Sequence, residues 1–261
     1  MAVLGQVATE AFPQLTITQS QTWVPPQDGT VCIHVVGAGG GGYSKNNATF
    51  SGAAGAYAKI PTLAVTTSGS YTLVVGNGGL GGSSGNDGGS GGNSTIAGTG
   101  LTGTKTCSGG GGGVNGANGS GGTVSGSGQS WAGYSGGAGT GNGGGAVGIY
   151  GTGGDGNATT TGSMTDAQSG GLAMSGYGII CGGSKPSERS YFNANYYNYP
   201  NRGDDLCGGG AVTYSNNSGW IYAAPGGIGG GGGGCRNANN ENHAFGGDGG
   251  DGIILIQYLP W

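Results

Sequence analysis

Residues 246–258 read GGDGGDGIILIQY, two Gly-Gly-Asp triplets running without a break into a short apolar strand. The same join occurs twice earlier in reverse order. Residues 30–36 (TVCIHVV) lead into the glycines of 37–42, and residues 71–75 (YTLVV) into 76–82. A few β-strands therefore carry the fold, and glycine-rich excursions leave from and return to their ends.

The excursions have a period. Residues 78–83 (GGLGGS), 225–230 (PGGIGG) and 246–251 (GGDGGD) repeat every three positions. A left-handed extended helix also repeats every three residues, rises about 3.1 Å per residue and has no internal hydrogen bonds. Many such helices packed side by side bond to one another, because without Cβ atoms an N–H of one reaches a C=O of the next. This is the polyglycine II arrangement. Collagen is the competing reading, and it fails because the triplets break off and there are only 8 prolines. A floppy Gly/Ser linker is the other, and it fits poorly with returns to well-made strands.

Composition agrees with an ordered chain that has a thin apolar core. Glycine fills 72 of 261 positions, roughly four times ordinary usage. Seven basic and 11 acidic residues give a net charge of −4, too little for self-repulsion to keep the chain unfolded, and 13 tyrosines are uncharacteristic of disorder. Ordering so much glycine costs about 1–2 kcal/mol per residue in backbone entropy. Dense backbone hydrogen bonding is what must offset it.

Period-two alternation marks residues 15–18 (LTIT) as a strand. A Trp23-Val24-Pro25-Pro26 turn then leads to a strand over 31–36, the two forming an expected hairpin. In the second strand Val31, Ile33 and Val35 share one face, and Cys32, His34 and Val36 the other. Residues 52–65 read as a further strand pair, followed by the strand 71–75. Short apolar segments punctuate the glycine text at 94–97, 147–150, 177–181 and 211–214, and 253–258 closes the framework. The expected fold is mainly β with very little helix: a small sandwich closed by N- and C-terminal strands, with packed polyglycine II helices and long loops. The expected organisation is a lead-in arm at 1–12 and one glycine-rich domain at 13–261. Its strand framework is 13–75 and 253–258, and its superstructure is 76–252.

Several classes are disfavoured. Scattered basic residues make no nucleic-acid face. No apolar run approaches the roughly 18 residues of a membrane span. The segment MAVLGQVATEAF lacks the basic and apolar regions of a secretory signal. Cys32, Cys107, Cys181, Cys207 and Cys235 include no CxxC pair, so a zinc site is not expected, and most should be reduced, buried thiols. Residues 76–81 (GNGGLG) fit a dinucleotide fingerprint, but no helix follows to receive the phosphate. Arg202-Gly203-Asp204 matches the integrin tripeptide, weak evidence in text this rich in glycine. Asp248 and Asp251 lack the spacing of a calcium loop and should face solvent. His34 should pack within its strand. No catalytic, cofactor or metal residues are assigned, and the chain is not read as an enzyme.

The Trp-Val-Pro turn, the strand ending VVGAGGGG, the segment GAAGAYAK, YTLVVGNGGLGG and the closing GGDGGDGIILIQY together resemble the glycine-rich domain of bacteriophage tail fibres and other virion appendages. The resemblance covers 15–258. More loosely, the chain resembles the tip adhesins of T-even-type phage long tail fibres, in which packed polyglycine helices display variable loops that bind the bacterial surface. It implies a virion protein made in the host cytoplasm. The implied partners are other virion proteins and a host glycan or outer-membrane protein. The implied assembly is a homo-oligomer, a trimer among the states admitted. A purely architectural subunit, with loops buried between copies, is the alternative. An ice-binding protein is a third reading, for which residues such as Thr159–Thr161 are too sporadic.

If glycine builds the body, the long interruptions are loops, and loops carry function. The largest spans 184–206, SKPSERSYFNANYYNYPNRGDDL. Its candidate binding residues are Arg189, Tyr191, Phe192, Asn195, Tyr196, Tyr197, Tyr199 and Arg202. Tyrosine mixed with Asn and Ser is the composition of adaptable binding surfaces, and the same residues would equally serve a subunit contact or a local core. Smaller islands at 43–50, 129–134, 214–222 and 236–245 add Trp131, Tyr134, Trp220, Tyr222 and His243. Convergence at one end of the body would make these a composite site.

Overall fold

The computed structural model describes residues 14–44, 50–126, 132–134, 144, 190–191, 213–215, 221–223, 225–237 and 244–260. Two antiparallel sheets, not closed into a barrel, form one end of the molecule. In the first the order is β1 (Gln14–Ile17), β15 (Ile253–Tyr258), β3 (Gly29–Val36), β4 (Tyr57–Val65) and β9 (Ala132–Tyr134). In the second it is β2 (Gln21–Trp23), β5 (Tyr71–Val74), β6 (Ser94–Gly98), β7 (Lys105–Cys107) and β8 (Val124–Ser125). Alternate residues of each strand meet between the sheets. Val31, Ile33, Val35, Ile60, Ile254 and Ile256 pack in one core with Trp23, Tyr71, Leu73 and Ile96.

The expected N-terminal hairpin does not form. β15 lies between β1 and β3, pairing Ile17 with Ile254 on one side and Val36 with Ile253 on the other. Trp23 ends a strand of the opposite sheet, where it pairs with Tyr71. Residues 52–65 are not a strand pair either, since β4 begins only at Tyr57 and the residues before it are glycine-type backbone. Ala and Gly alternation looks the same in a strand and in a glycine rod. The rod wins because its residues carry no side chain larger than a methyl to fill a sheet face. The closing strand does tie the ends of the framework together, and no helix occurs among the described residues.

The strands continue axially into a bundle of extended glycine rods: g1 (37–43), g2 (50–56), g3 (76–82), g4 (87–93), g5 (108–114), g6 (117–123), g7 (229–235) and g8 (246–252). β3 runs into g1, β5 into g3 and β7 into g5, while g2 returns to β4, g4 to β6, g6 to β8 and g8 to β15. Rod g1 is the centre. Its amides at 37, 40 and 43 donate to g2, those at 38 and 41 to g4, and those at 39 and 42 to g8. Its carbonyls at 38 and 41 accept from g5, those at 39 and 42 from g3, and those at 40 and 43 from g7. Three directions repeating at i+3 are the threefold screw of polyglycine II, met here by six hydrogen-bonded neighbours.

The neighbours close a ring in the order g2, g5, g4, g3, g8, g7, each bonded to the next and running opposite to it. At most of its glycines such packing leaves no room for Cβ. One built on Gly40 would fall onto the Gly111 carbonyl oxygen, and one on Gly39 onto that of Gly230. Where a triplet carries a larger residue, that residue sits on the rim. Asp248 and Asp251 are exposed as expected, but they are not idle: their Oδ1 atoms accept the amides of Gly81 at 2.6 Å and Gly78 at 2.7 Å.

Candidate functional site at the far pole

Because ring neighbours alternate in direction, the connections between rods gather at two poles. Strands occupy the near pole. At the far pole lie Tyr43, Ser44 and Phe50, the turns 83–86 and 114–117, the end of g7 and the start of g8. Turn 83–86 places both Ser84 (φ 52°) and Gly85 (φ 84°) in the left-handed region, as a type I′ hairpin turn requires.

Aromatic residues gather on this pole. The Tyr43 amide donates to the Phe50 carbonyl at 2.7 Å, and their rings lie 5.7 Å apart. β12 (Ile221–Tyr222) pairs in parallel with β14 (Ala244–Phe245), which brings the Tyr222 and Phe245 rings into a stack with centroids 4.8 Å apart and planes at 18°. Tyr222 remains 51% exposed. The type I′ turn docks against this pair, through a bridge from Ser83 to Phe245 and a 3.2 Å bond from the Ser84 amide to the Ala244 carbonyl. Beside them β10 (Ser190–Tyr191), β11 (Thr213–Ser215) and β13 (Cys235–Asn237) form a parallel sheet, with Tyr191 registered on Tyr214 and Tyr214 on Arg236.

Ala223, Cys235 and Ala244 form a small apolar cluster, and burial pushes the Cys235 thiol up to about 12, so it is protonated and inert at neutral pH. Tyr43 Oη and Ser44 Oγ are buried without a hydrogen-bond partner among the described residues.

Of the residues singled out from sequence, Tyr191 and Tyr222 are thus placed at one pole, together with described parts of the 43–50, 214–222 and 236–245 islands. The described part of the 129–134 island, 132–134, does not join them. Its Tyr134 pairs with Tyr57 at the edge of the first sheet, close to the near ends of the rods. Arg189, Phe192, Asn195, Tyr196, Tyr197, Tyr199, Arg202, Trp131, Trp220 and His243 lie outside the described residues, as do the apolar segments 147–150 and 177–181. Phe245 was not singled out, although an aromatic directly before a Gly-Gly-Asp run is the signal that marks it.

A second polar cluster lies on the outer face of the first sheet. Cys32 Sγ is 3.4 Å from His34 Nε2, and His34 Nδ1 is 2.8 Å from Tyr57 Oη. Burial lowers the His34 pKa and raises that of Cys32. Each shift favours the uncharged form, so thiol and imidazole rest as a neutral hydrogen-bonded pair and His34 is packed within its strand. A nucleophilic cysteine needs the opposite shift.

Strands running axially into a bundle of polyglycine II rods define a mainly β, glycine-built domain. Residues 16–259 match the glycine-rich domain family, and the chain belongs to that family. No curated protein matches the chain.

Proposed function

We propose that this chain is a bacteriophage virion protein, a tail-fibre or adhesin subunit that contacts the host surface with its far pole. The observation that carries the reading is the polarity of the molecule. Gln14 and Tyr258 lie at the outer end of the sandwich, whereas the exposed Tyr222–Phe245 stack and the sheet carrying Tyr191 lie at the opposite pole, beyond rods about 20 Å long. One end is thus suited to attachment and the other to display. Tyrosine-rich loops held on a rigid body are the chemistry of adaptable recognition. The host ligand is a surface glycan or an outer-membrane protein, the site of action is the virion, and the role is non-catalytic.

The test is adsorption of the fluorescently labelled protein to a panel of bacterial strains. Binding to a subset of strains is expected, with loss on deleting 187–201 and weakening by Tyr222→Ala, each variant checked for an unchanged circular dichroism spectrum. Adsorption to no strain, or adsorption unchanged in both folded variants, overturns the reading in favour of a purely architectural subunit.

A further inference from the structure

The ring of rods around g1 has six outer grooves, and the described residues close five of them. Groove g2–g5 holds rod g6, whose amides at 119 and 122 donate to g2 and whose carbonyls at 120 and 123 accept from g5. Groove g2–g7 holds Gly144, bonded to Gly52 and Gly231 at 3.0 Å each. Groove g7–g8 holds the segment 225–229, where the amides of Gly226 and Gly229 donate to the carbonyls of Asp248 and Asp251.

The next two grooves are closed by side chains. In g3–g8, Asp248 and Asp251 cover the outward amides of Gly81 and Gly78. In g4–g5, Asn93 Oδ1 accepts the Gly109 amide at 3.1 Å and Asp87 Oδ1 the Asn115 amide at 2.8 Å. Backbone or a side-chain oxygen thus meets outward amides in each of these five grooves.

The remaining groove lies between g3 and g4. Rod g3 sends its amides at 79 and 82 to g1 and those at 78 and 81 to the aspartates, so the threefold repeat turns the Asn77 and Leu80 amides into this groove. Rod g4 sends its amides to g3 and g5 and its carbonyls at 89 and 92 to g1, which turns the carbonyls of Asp87 and Ser90 the same way. None of these four groups is hydrogen-bonded among the described residues. Asn77, Asp87 and Ser90 are exposed, and Leu80 is 75% exposed, the most exposed of the large apolar side chains described.

We infer that the g3–g4 edge is a docking surface for a second copy of this chain. The edge carries one row of donors, on g3, and one row of acceptors, on g4. A twofold axis parallel to the rods sets g3 of each copy against g4 of the other, matching donors to acceptors in both directions, as an isologous interface requires. The facing rods are then antiparallel, like every neighbouring pair in the ring, and the two Leu80 side chains are covered. An open edge of unpaired backbone is the feature by which sheets add further strands. A glycine bundle extends by the same rule.

The pairing of Asn77→Pro with Leu80→Pro tests this. Proline suits the extended threefold conformation and removes only the N–H, and these two amides have no internal partner. Leu80→Glu is the companion variant, placing like charges across the twofold axis without touching backbone. By sedimentation velocity the parent should form a dimer, and both variants should sediment as single chains with the parent's circular dichroism. A parent that stays single at its highest soluble concentration overturns the inference. So does dimerisation that survives Leu80→Glu, which decides the matter even where the double-proline variant fails to fold. The outcome is independent of whether the far pole binds a host surface.

Discussion

The two halves of this molecule are held together by different parts of the same polymer. In the sandwich, side chains make the core: Ile33, Val35, Ile254 and Ile256 are fully buried between sheets. In the bundle the core is backbone, and what is buried around g1 is amide against carbonyl. Apolar burial tolerates approximate shapes and loses about 0.8 kcal/mol per methylene removed. A backbone core has no slack of that kind. Its spacing is fixed by the length of a hydrogen bond, and one methyl group at a position such as Gly39 or Gly40 would hold two rods apart.

Single methyl groups should therefore separate the halves, and the largest effect belongs to the bundle. Gly40→Ala places its Cβ on the Gly111 carbonyl in the central rod, where neither backbone can move without breaking bonds to its other neighbours. A loss above about 4 kcal/mol is expected, within reach of the whole stability of a domain. It should appear in chemical denaturation as no folded baseline or a steeply lowered midpoint. Ile33→Ala removes far more volume, three carbons from the sandwich core, yet should cost about 2–5 kcal/mol and leave a folded protein. Should Gly40→Ala prove the milder of the two, the rods yield more readily than the hydrogen-bond geometry allows.

This contrast also explains what the sequence could convey. A rod announces itself locally, because every third residue is free and the others must be glycine or alanine, so residues 246–251 and 76–82 read correctly. Partner choice is not local. The alternation in residues 15–18 shows which face is buried, but that β15 lies between β1 and β3 depends on a strand more than 200 residues away. The outward setting of Asp248 and Asp251 follows from their triplets. That they cover amides of g3 follows only from which rod lies alongside. The far pole is half legible: islands in glycine text read as loops, while the meeting of the described ends of several of them at one pole rests on the alternating directions of the ring.

Turns lie between the two regimes. Gly85 has open space around a built Cβ but a φ of 84°, so Gly85→Ala meets strain without collision and should cost about 1–2 kcal/mol. Gly116, at φ 91° with the same open space, should behave alike, and equal losses in the two would show that packing plays no part at the far-pole turns. On the sandwich, burial depresses the His34 pKa in the folded state below 6.5. The unfolded chain then binds the proton more tightly, so His34's contribution is complete above pH 6.5 and is lost as pH falls toward the folded value. Denaturation midpoints should decline on acidification below pH 6.5, less steeply in His34→Gln.

The smallest effect expected is at the rim, where side chain and backbone regimes meet. Asp251→Ala removes the acceptor of the Gly78 amide, an exposed bond of 2.7 Å, and water can replace it. The loss should be about 0.5–1.5 kcal/mol. Asp251→Asn keeps an Oδ1 in the same place and should recover most of it, which separates hydrogen bonding from charge. If alanine and asparagine are equally harmful, the carboxylate acts through its charge on the bundle edge and not as an acceptor. If both are silent, the amide is as well served by solvent, and the rods at the rim are held by their inward bonds alone.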